Sequence, residues 1–231
     1  MNTDEYSTFE NEDMDDTRFI SMIQKEQEDY QSFHVFRQKL GNDRLNFELI
    51  EKNTKLSFFA KSYFRKKNQK IDIFSPVIYD QPIGTIVKTN HIFKFYMYNQ
   101  VDPSIIIKYR INEYSPASCR VLLTDRHTYQ ENIKHFEKTS TNISNQFPHG
   151  SYLIPKNFTK RKWDGRYCMA FQQRNIISSR KNIALVSPHQ ESNKAVFELG
   201  CVNNSLYHII SKDQFSPIRT AAFVFSWLTI L

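Results

Sequence analysis

Apolar and polar residues alternate in short runs along most of this chain, beginning at residues 33–36. Because successive side chains of a β-strand point to opposite faces, a period of two is typical of a strand with one buried face. Residues 45–51 alternate, 52–55 form a polar break and 56–60 resume the apolar pattern, which predicts a β-hairpin. Further runs lie at residues 70–78, 84–88, 92–98, 105–111, 120–124, 151–154, 167–171, 182–186, 195–199 and 206–210. About a dozen short strands favour a closed antiparallel sheet, as a barrel or a sandwich, over alternating strands and helices.

The last residues of the chain break the strand pattern. The stretch 220–231 is apolar on every face of a helical wheel, and such a helix must be surrounded by protein or lipid. It has about 12 residues, whereas a helix needs roughly 20 to cross a bilayer. Ser216 is suited to cap the helix and Pro217 to form its first turn. The pattern predicts an all-β fold with one helix: a closed antiparallel β-barrel of about 12 strands around a central hydrophobic C-terminal α-helix.

The first thirty residues differ in composition from the rest. Residues 1–16 contain seven acidic residues and no basic one, a composition typical of a solvated tail. From Arg18 to Tyr30 the apolar positions are loosely spaced as in a helix. We therefore expect an acidic tail with a possible short helix over residues 1–30 and one barrel domain over residues 31–231.

The acidic tail hides much of the chain's basic character. Lys and Arg number 31 against 24 Asp and Glu, a formal net charge of +7. Residues 17–231 hold the same 31 bases but only 17 acids, so the chain after the acidic segment carries a formal charge of +14. A surface of that sign attracts polyanions, which include nucleic acid, anionic lipid head groups and acidic proteins.

Two clusters of basic residues stand out within the expected barrel. The first lies in one predicted hairpin and comprises Lys61, Arg65, Lys66, Lys67 and Lys70. The second comprises Lys156, Lys160, Arg161, Lys162 and Arg166, with Asp164 as its only acid. Each base beside an anionic leaflet contributes roughly 1 kcal/mol to membrane binding. The clusters therefore predict binding to anionic lipid, although each also fits an ordinary solvated turn.

The same clusters suit the phosphates of DNA or RNA. Tyr63, Phe64, Trp163 and Tyr167 lie among them as candidate stacking groups. Aromatic residues in strands more often pack in the core, however, and the sequence has no helix-turn-helix, zinc-finger or RNA-recognition signature. Nucleic acid is therefore the second choice of partner.

Catalysis, metals and cofactors find little support in the sequence. The seven histidines and three cysteines are isolated and show no metal-ligand spacing. With only five glycines, the chain offers no phosphate-binding loop or nucleophile elbow. We expect a non-catalytic protein without a metal or cofactor. Unpaired cysteines and the lack of a visible secretory signal favour the cytoplasm.

Several stretches carry a family resemblance. The closest match runs through Trp163-Asp164, Tyr167-Cys168-Met169-Ala170-Phe171-Gln172-Gln173-Arg174 and Ser179-Arg180-Lys181-Asn182. Further matches are the strand from Val196 to Val202, the pair Ile83-Gly84 and the segment Phe215-Ser216-Pro217. Together they resemble the tubby carboxy-terminal domain, with Ala170 in place of the family's Asn and Gln173 in place of its Gly. The resemblance implies a twelve-stranded barrel around a hydrophobic terminal helix.

The resemblance also implies a function. It implies a non-catalytic domain that binds doubly phosphorylated phosphoinositides at the plasma membrane and acts as an adaptor in membrane or ciliary traffic. Protein partners from a trafficking or ciliary complex follow from the same likeness. The expected location is the cytoplasm, peripheral to the plasma membrane or cilium, with the nucleus as an alternative.

A lipid site is implied on the strand after the Ile-Gly pair, where the family uses a Lys and an Arg two residues apart. Here Thr85 and Val87 occupy those places, and Lys88 and Lys94 are the nearest cations. We therefore predict a lipid site made of Lys88, Lys94 and the first basic cluster. A protein-interaction or assembly component with a degenerate lipid site is the alternative that the loss of the basic pair leaves open.

Overall fold

The computed structural model describes residues 30–41, 43–63, 67–78, 81–111, 117–124, 130–138, 147, 151–160, 167–169, 171, 176–188, 194–212 and 214–230. The predicted acidic tail and the short helix after it lie outside the described residues. The domain boundary near residue 30 therefore stays a prediction.

Twelve antiparallel strands form one closed barrel. They are β1 (Gln31–Lys39), β2 (Arg44–Glu51), β3 (Ser57–Tyr63), β4 (Gln69–Phe74), β5 (Gly84–Thr89), β6 (Ile92–Met97), β7 (Ile105–Arg110), β8 (Ser118–Leu123), β9 (Tyr152–Pro155), β12 (Ile183–Val186), β13 (Phe197–Cys201) and β14 (Leu206–Ser211). Each strand pairs with the next barrel strand along the chain, and β1 closes the barrel by pairing with β14. Closure leaves the sheet without an unpaired edge. The predicted barrel is thus confirmed.

A small second sheet lies outside the barrel. It consists of β10 (Thr159–Lys160) and β11 (Tyr167–Cys168), which pair with each other. Of the strand predicted over residues 167–171, the structure shows Tyr167–Cys168, and this strand does not belong to the barrel sheet. The apolar run at residues 167–171 resembles the runs that form barrel strands, and the periodicity of a run does not show which strand it pairs with.

Alternation along the strands separates the inside of the barrel from its outside. In β2, Leu45, Phe47 and Leu49 are buried whereas the residues between them are partly or fully exposed. In β3 the buried Phe58 and Ala60 alternate with exposed neighbours in the same way. The inward side chains join one hydrophobic core. The period of two in the sequence thus reports which face of each strand the core covers.

The described residues also form two helices, α1 (Gln130–Lys138) and α2 (Pro217–Ile230). All residues of α2 except Arg219 are buried, and the helix contacts β2, β3, β6 and β7. Its rings pack against strand residues, with centroids 5.3 Å apart for Phe225 and Phe47 and 4.8 Å apart for Phe223 and Phe197. The predicted central helix is therefore confirmed as part of the barrel core. Neither α1 nor α2 is long and apolar enough to cross a membrane.

Hydroxyl groups on α2 are accommodated by local hydrogen bonds. Ser226 Oγ donates to the carbonyl of Ala222 at 2.7 Å, and Thr229 Oγ1 donates to that of Phe225 at 2.6 Å. Both bonds run back one helical turn, and Oγ1 of Thr229 also lies 3.3 Å from Oγ of Ser62 on β3, so both buried hydroxyl groups have partners. The helix begins as the sequence predicts, since Pro217 is its first residue and the carbonyl of Ser216 accepts a bond from Thr220 N at 2.9 Å.

A second, smaller core lies on the outside of the barrel. Helix α1 covers the outer face of β7, β8 and β9 with Ile133 and Phe136, which pack with Ile106, Leu122 and Tyr152. Because both faces of β7 are covered along residues 105–107, that strand reads as three consecutive isoleucines rather than as an alternating run. The second core holds α1 against the outer face of the barrel.

Two histidines meet on the outer face of β1 and β14. His34 and His208 are directly opposite each other, with ring centroids 5.1 Å apart. Lys52 Nζ lies 2.8 Å and Ser32 Oγ 2.9 Å from Nε2 of His208. Burial, Lys52 and His34 lower the pKa of His208 to about 4, and burial with Lys52 and Lys55 lowers that of His34. Both rings are therefore held neutral near pH 7.

We expect the free energy of unfolding to fall as the pH drops from about 6.5 toward about 4, because the unfolded chain binds protons there that the folded histidines do not. The expected loss from His208 is about 1–2 kcal/mol, since partial exposure of the ring screens the repulsion. Urea denaturation at two pH values on either side of this range measures it. His208→Gln should flatten the pH dependence, whereas His91→Gln, at an exposed histidine, should not. An unchanged pH dependence in His208→Gln would contradict this account.

Candidate anion-binding surfaces

The described members of the first basic cluster lie on the β3–β4 hairpin, as predicted. Lys61 of β3, Lys70 of β4 and Lys67 in the turn between them are all exposed. Arg65 and Lys66 lie outside the described residues. Arg44 of β2 is exposed directly opposite Tyr63 of β3, a neighbour across strands that sequence spacing does not show.

Exposed aromatic rings accompany these lysines. Phe59 and Phe74 stack with centroids 5.6 Å apart, and Phe59 remains 39% exposed. Tyr63, two residues beyond Lys61 on the same face, is 47% exposed. Phe59, Lys61, Lys70, Asp72 and Phe74 line a shallow cavity of about 460 Å³. We call the exposed group of Phe59, Lys61, Tyr63, Lys67 and Lys70 the hairpin face.

Not every lysine of the hairpin face contributes net charge. Lys70 Nζ lies 3.1 Å from Oδ1 of Asp72, and Thr85 Oγ1 donates to the same oxygen at 2.6 Å. Within the described part of the chain, Lys61 and Lys67 have no such carboxylate partner. These two lysines therefore carry most of the positive charge that the hairpin face offers to an anion.

Lys88 faces the barrel interior, away from the hairpin face. It is 3% exposed, and its Nζ lies 5.5 Å and 5.8 Å from the ring centroids of Phe93 and Tyr109. Burial lowers the pKa of Lys88. Strand alternation explains the position, since Thr85 and Val87 point outward and Lys88 follows the inward Ile86. Lys88 therefore does not share an exposed surface with the other predicted lipid contacts.

Lys94 lies on the outer face of β6 and is engaged by α1. Its Nζ lies 2.5 Å from Oε1 of Glu137, and Glu137 belongs to the last turn of that helix. Val87 separates Lys94 from Lys70 along the row of directly opposite residues that crosses β4, β5 and β6. Lys94 therefore lies at the border of the hairpin face and not within it.

The second predicted basic patch is only partly described. Lys156 follows β9, is half-buried and donates its backbone N–H to the carbonyl of Ala184 at 2.8 Å. Lys160 ends β10, while Arg161, Lys162 and Arg166 lie outside the described residues. Binding by this patch stays a prediction.

Sequence reasoning missed a third group of cations, at the ends of β7 and β8. Lys108 and Arg110 are two apart on β7, so they share its outer face. Arg120 of β8 lies directly opposite Lys108, and Ser118 lies opposite Arg110. These residues line a cavity of about 580 Å³ together with His91, Tyr109, Ile111, Cys119 and Pro155. We call it the β7–β8 pocket.

The charges of the β7–β8 pocket are partly desolvated. Burial and the neighbouring Arg120 lower the pKa of Lys108, while Glu137 acts in the opposite direction. Lys108 Nζ donates to the main-chain carbonyl of Glu137 at 2.6 Å, a favourable place for a cation because it is the C-terminal end of α1. The signal in the sequence was the pair Lys108 and Arg110, but their pairing with Arg120 needs the register of β7 and β8.

No protein-family model matches the chain, and no curated protein is significantly similar to it. The resemblance to the tubby domain therefore stays a prediction that rests on the motifs quoted above.

Proposed function

We propose that this chain is a non-catalytic, tubby-like domain that docks on anionic membrane surfaces through the hairpin face. The main support is the combination on one hairpin of exposed Lys61 and Lys67 with the exposed rings of Phe59 and Tyr63. Aromatic rings favour the boundary between head groups and acyl chains, and lysines favour an anionic leaflet. A role as an adaptor in membrane or ciliary traffic, with phosphoinositide as the preferred lipid, belongs to the same proposal.

The charges of the hairpin face set the expected strength of docking. Each base near the leaflet contributes roughly 1 kcal/mol. Lys70 contributes less because Asp72 lies beside it, so Lys61 and Lys67 together supply about 2 kcal/mol, or about a thirtyfold change in affinity. Thr85 and Val87 are uncharged, and they occupy the positions where the tubby family has the Lys and the Arg that bind phosphate. Docking on the hairpin face should therefore follow lipid charge more than head-group identity.

Removing two lysines tests this function. In co-sedimentation with vesicles containing phosphatidylserine or phosphoinositide, Lys61→Gln with Lys67→Gln should weaken binding about thirtyfold at low salt. The matched control is Lys134→Gln with Lys194→Gln, which removes two exposed lysines elsewhere on the molecule. The control should bind as the parent does, because its lysines are not on the hairpin face.

Two results would count against the proposal. One is no binding of the parent to either kind of vesicle at low salt. The other is equal weakening by the two double variants, which would indicate a response to net charge alone. Duplex DNA in place of vesicles tests nucleic acid as the partner, and tighter binding to DNA at equal salt would favour that alternative.

A further inference from the structure

The hairpin face offers cations that an acidic ligand can still pair with. Lys61 and Lys67 have no carboxylate partner among the residues that the structure describes. Arg44 and Glu48 of β2 border the face opposite β3, and their charges offset each other. The cations of the β7–β8 pocket differ, because Lys108 is already engaged by the C-terminal end of α1. An acidic ligand therefore finds its cations on the hairpin face.

The cavity of about 460 Å³ on this face has both apolar and charged walls. The stacked rings of Phe59 and Phe74 form the apolar part. Lys61 and Lys70 form the basic part, and Asp72, the acid among the described lining residues, is paired with Lys70 at 3.1 Å. A complementary ligand has an aromatic ring next to carboxylates.

The acidic tail of the same chain, residues 1–16, has this composition. It contains seven acidic residues and no basic one. Two aromatic residues lie among the acids: Tyr6 directly follows Glu5, and Phe9 directly precedes Glu10. Carboxylates are attracted to a basic surface, and exposed rings gain free energy when they pack together. The acidic tail thus complements the hairpin face in both charge and aromatic character.

The chain between the acidic tail and β1 is long enough for the tail to reach this face. Residue 16 precedes Gln31, the first residue of β1, by 15 positions, which span at most about 50 Å. Gln31 is at the end of β1 far from the β3–β4 turn, a separation of roughly 30–35 Å along and across the strands. If the predicted helix forms over residues 18–30, it spans about 20 Å, and the acidic tail itself spans the remainder. A segment tethered by so short a linker acts at about millimolar effective concentration.

We propose that the acidic tail docks on the hairpin face of its own barrel. Tyr6 or Phe9 enters the cavity beside Phe59, and the carboxylates of the tail pair with Lys61 and Lys67. The docked tail covers the surface to which the proposed function assigns anionic membrane, so its regulatory role rests on that function. The tail and the leaflet compete for the same two lysines, and membrane binding requires release of the tail.

Amide NMR spectra of the full chain at low salt test the docking without any membrane. In a seven-acid variant every acidic residue of the tail becomes its amide: Asp4→Asn, Glu5→Gln, Glu10→Gln, Glu12→Gln, Asp13→Asn, Asp15→Asn and Asp16→Asn. Its shifts should differ from those of the parent mainly at residues 59–63 and 67–74. A synthetic peptide of residues 1–16, added to this variant, should restore the parent's shifts there. The parent's shifts should not change on tenfold dilution, because the contact is within one molecule.

Variants of the peptide and of the barrel separate ring recognition from charge. A peptide with Tyr6→Ser and Phe9→Ser keeps every charge and should bind the seven-acid variant about tenfold more weakly, because it lacks the rings. Adding Lys61→Gln and Lys67→Gln to the seven-acid variant should weaken binding of the natural peptide about tenfold. The matched control adds Lys134→Gln and Lys194→Gln instead, and it should bind the peptide without loss.

Several results would overturn the docking. They are shift differences spread over the whole described surface, a peptide that restores none of the parent's shifts, and equal peptide binding by the two lysine double variants. Shifts of the parent that depend on concentration would indicate a second copy as the occupant and would also overturn it.

Vesicles containing phosphatidylserine test the competition between tail and membrane. With about nine-tenths of the parent docked, the seven-acid variant should bind these vesicles about tenfold more tightly, and added peptide should reverse the gain. Absence of vesicle binding by both proteins would refute membrane docking and leave the NMR result standing. Failure of the NMR test would leave the vesicle comparison of the two lysine double variants unaffected.

Discussion

Trp227→Asp should abolish the folded barrel. Trp227 is 1% exposed, its ring stacks with that of Phe223 at 6.3 Å, and its Nε1 donates to the carbonyl of Lys181 at 2.8 Å. The substitution removes these contacts and places a carboxyl group inside the barrel. An unpaired buried charge costs several kcal/mol, and losing a large core side chain costs about 3–5 kcal/mol more. Together these losses match the whole stability of an ordinary domain, about 5–15 kcal/mol.

Circular dichroism and size-exclusion chromatography measure the outcome for Trp227→Asp. Val101→Asp is the matched control, since it makes the same acid from an apolar residue that is 90% exposed, and it should leave folding unchanged. A Trp227→Asp protein with the urea midpoint of the parent would show that α2 is not the core of the barrel.

Gly84→Ala should destabilise the barrel by about 1–3 kcal/mol, the usual cost of overpacking a tight core. A Cβ at Gly84 would overlap the ring of Phe95 and would lie 3.0 Å from the carbonyl oxygen of Tyr96. Phe95 is itself buried in the hydrophobic core of the barrel, so its ring has little room to move. Either the ring or the β5–β6 pairing must shift to admit one methyl group.

Gly41→Ala provides the control for this change. Apart from Gly41 and its chain neighbours, no heavy atom of the described residues lies within 4 Å of the position that a Cβ would take there. The substitution should therefore be neutral, or stabilising by up to about 1 kcal/mol through the unfolded chain. Urea denaturation of both variants gives the difference. Equal stability of the two alanine variants would contradict the close approach of β5 and β6 at Gly84.

Much of the fold was predictable because the apolar positions of the sequence pattern are the positions that the structure buries. Residues 45–51 alternate in the sequence and form β2 with the same inward set, and the uniformly apolar C-terminal stretch forms α2 inside the barrel. Helix α1 was not predicted, since its apolar face is narrow and covers the outside of the sheet. The pairing of β10 with β11 was missed for a related reason, because a two-residue strand leaves no periodic pattern.

The candidate sites were less predictable because they depend on register and on which face a residue takes. Lys88 comes one position after the outward-facing Val87, so its side chain points into the barrel interior. Arg120 is ten residues from Arg110 in sequence but shares its pocket through strand pairing. The hairpin cluster could be found from the sequence because its basic residues are near one another along the chain. The cations of β7 and β8 could not, because only the pairing of the two strands brings them together.

The most direct test of the membrane-docking proposal is the depth of the hairpin face in a bilayer. Tyr63→Trp and Val101→Trp each place one reporter on the surface, at the hairpin face and in the β6–β7 turn respectively, above the same background from the native tryptophans. With anionic vesicles that contain brominated lipid, fluorescence of Tyr63→Trp should be strongly quenched and that of Val101→Trp should be nearly unchanged. Equal quenching at the two positions, or stronger quenching at Val101→Trp, would contradict docking through the hairpin face.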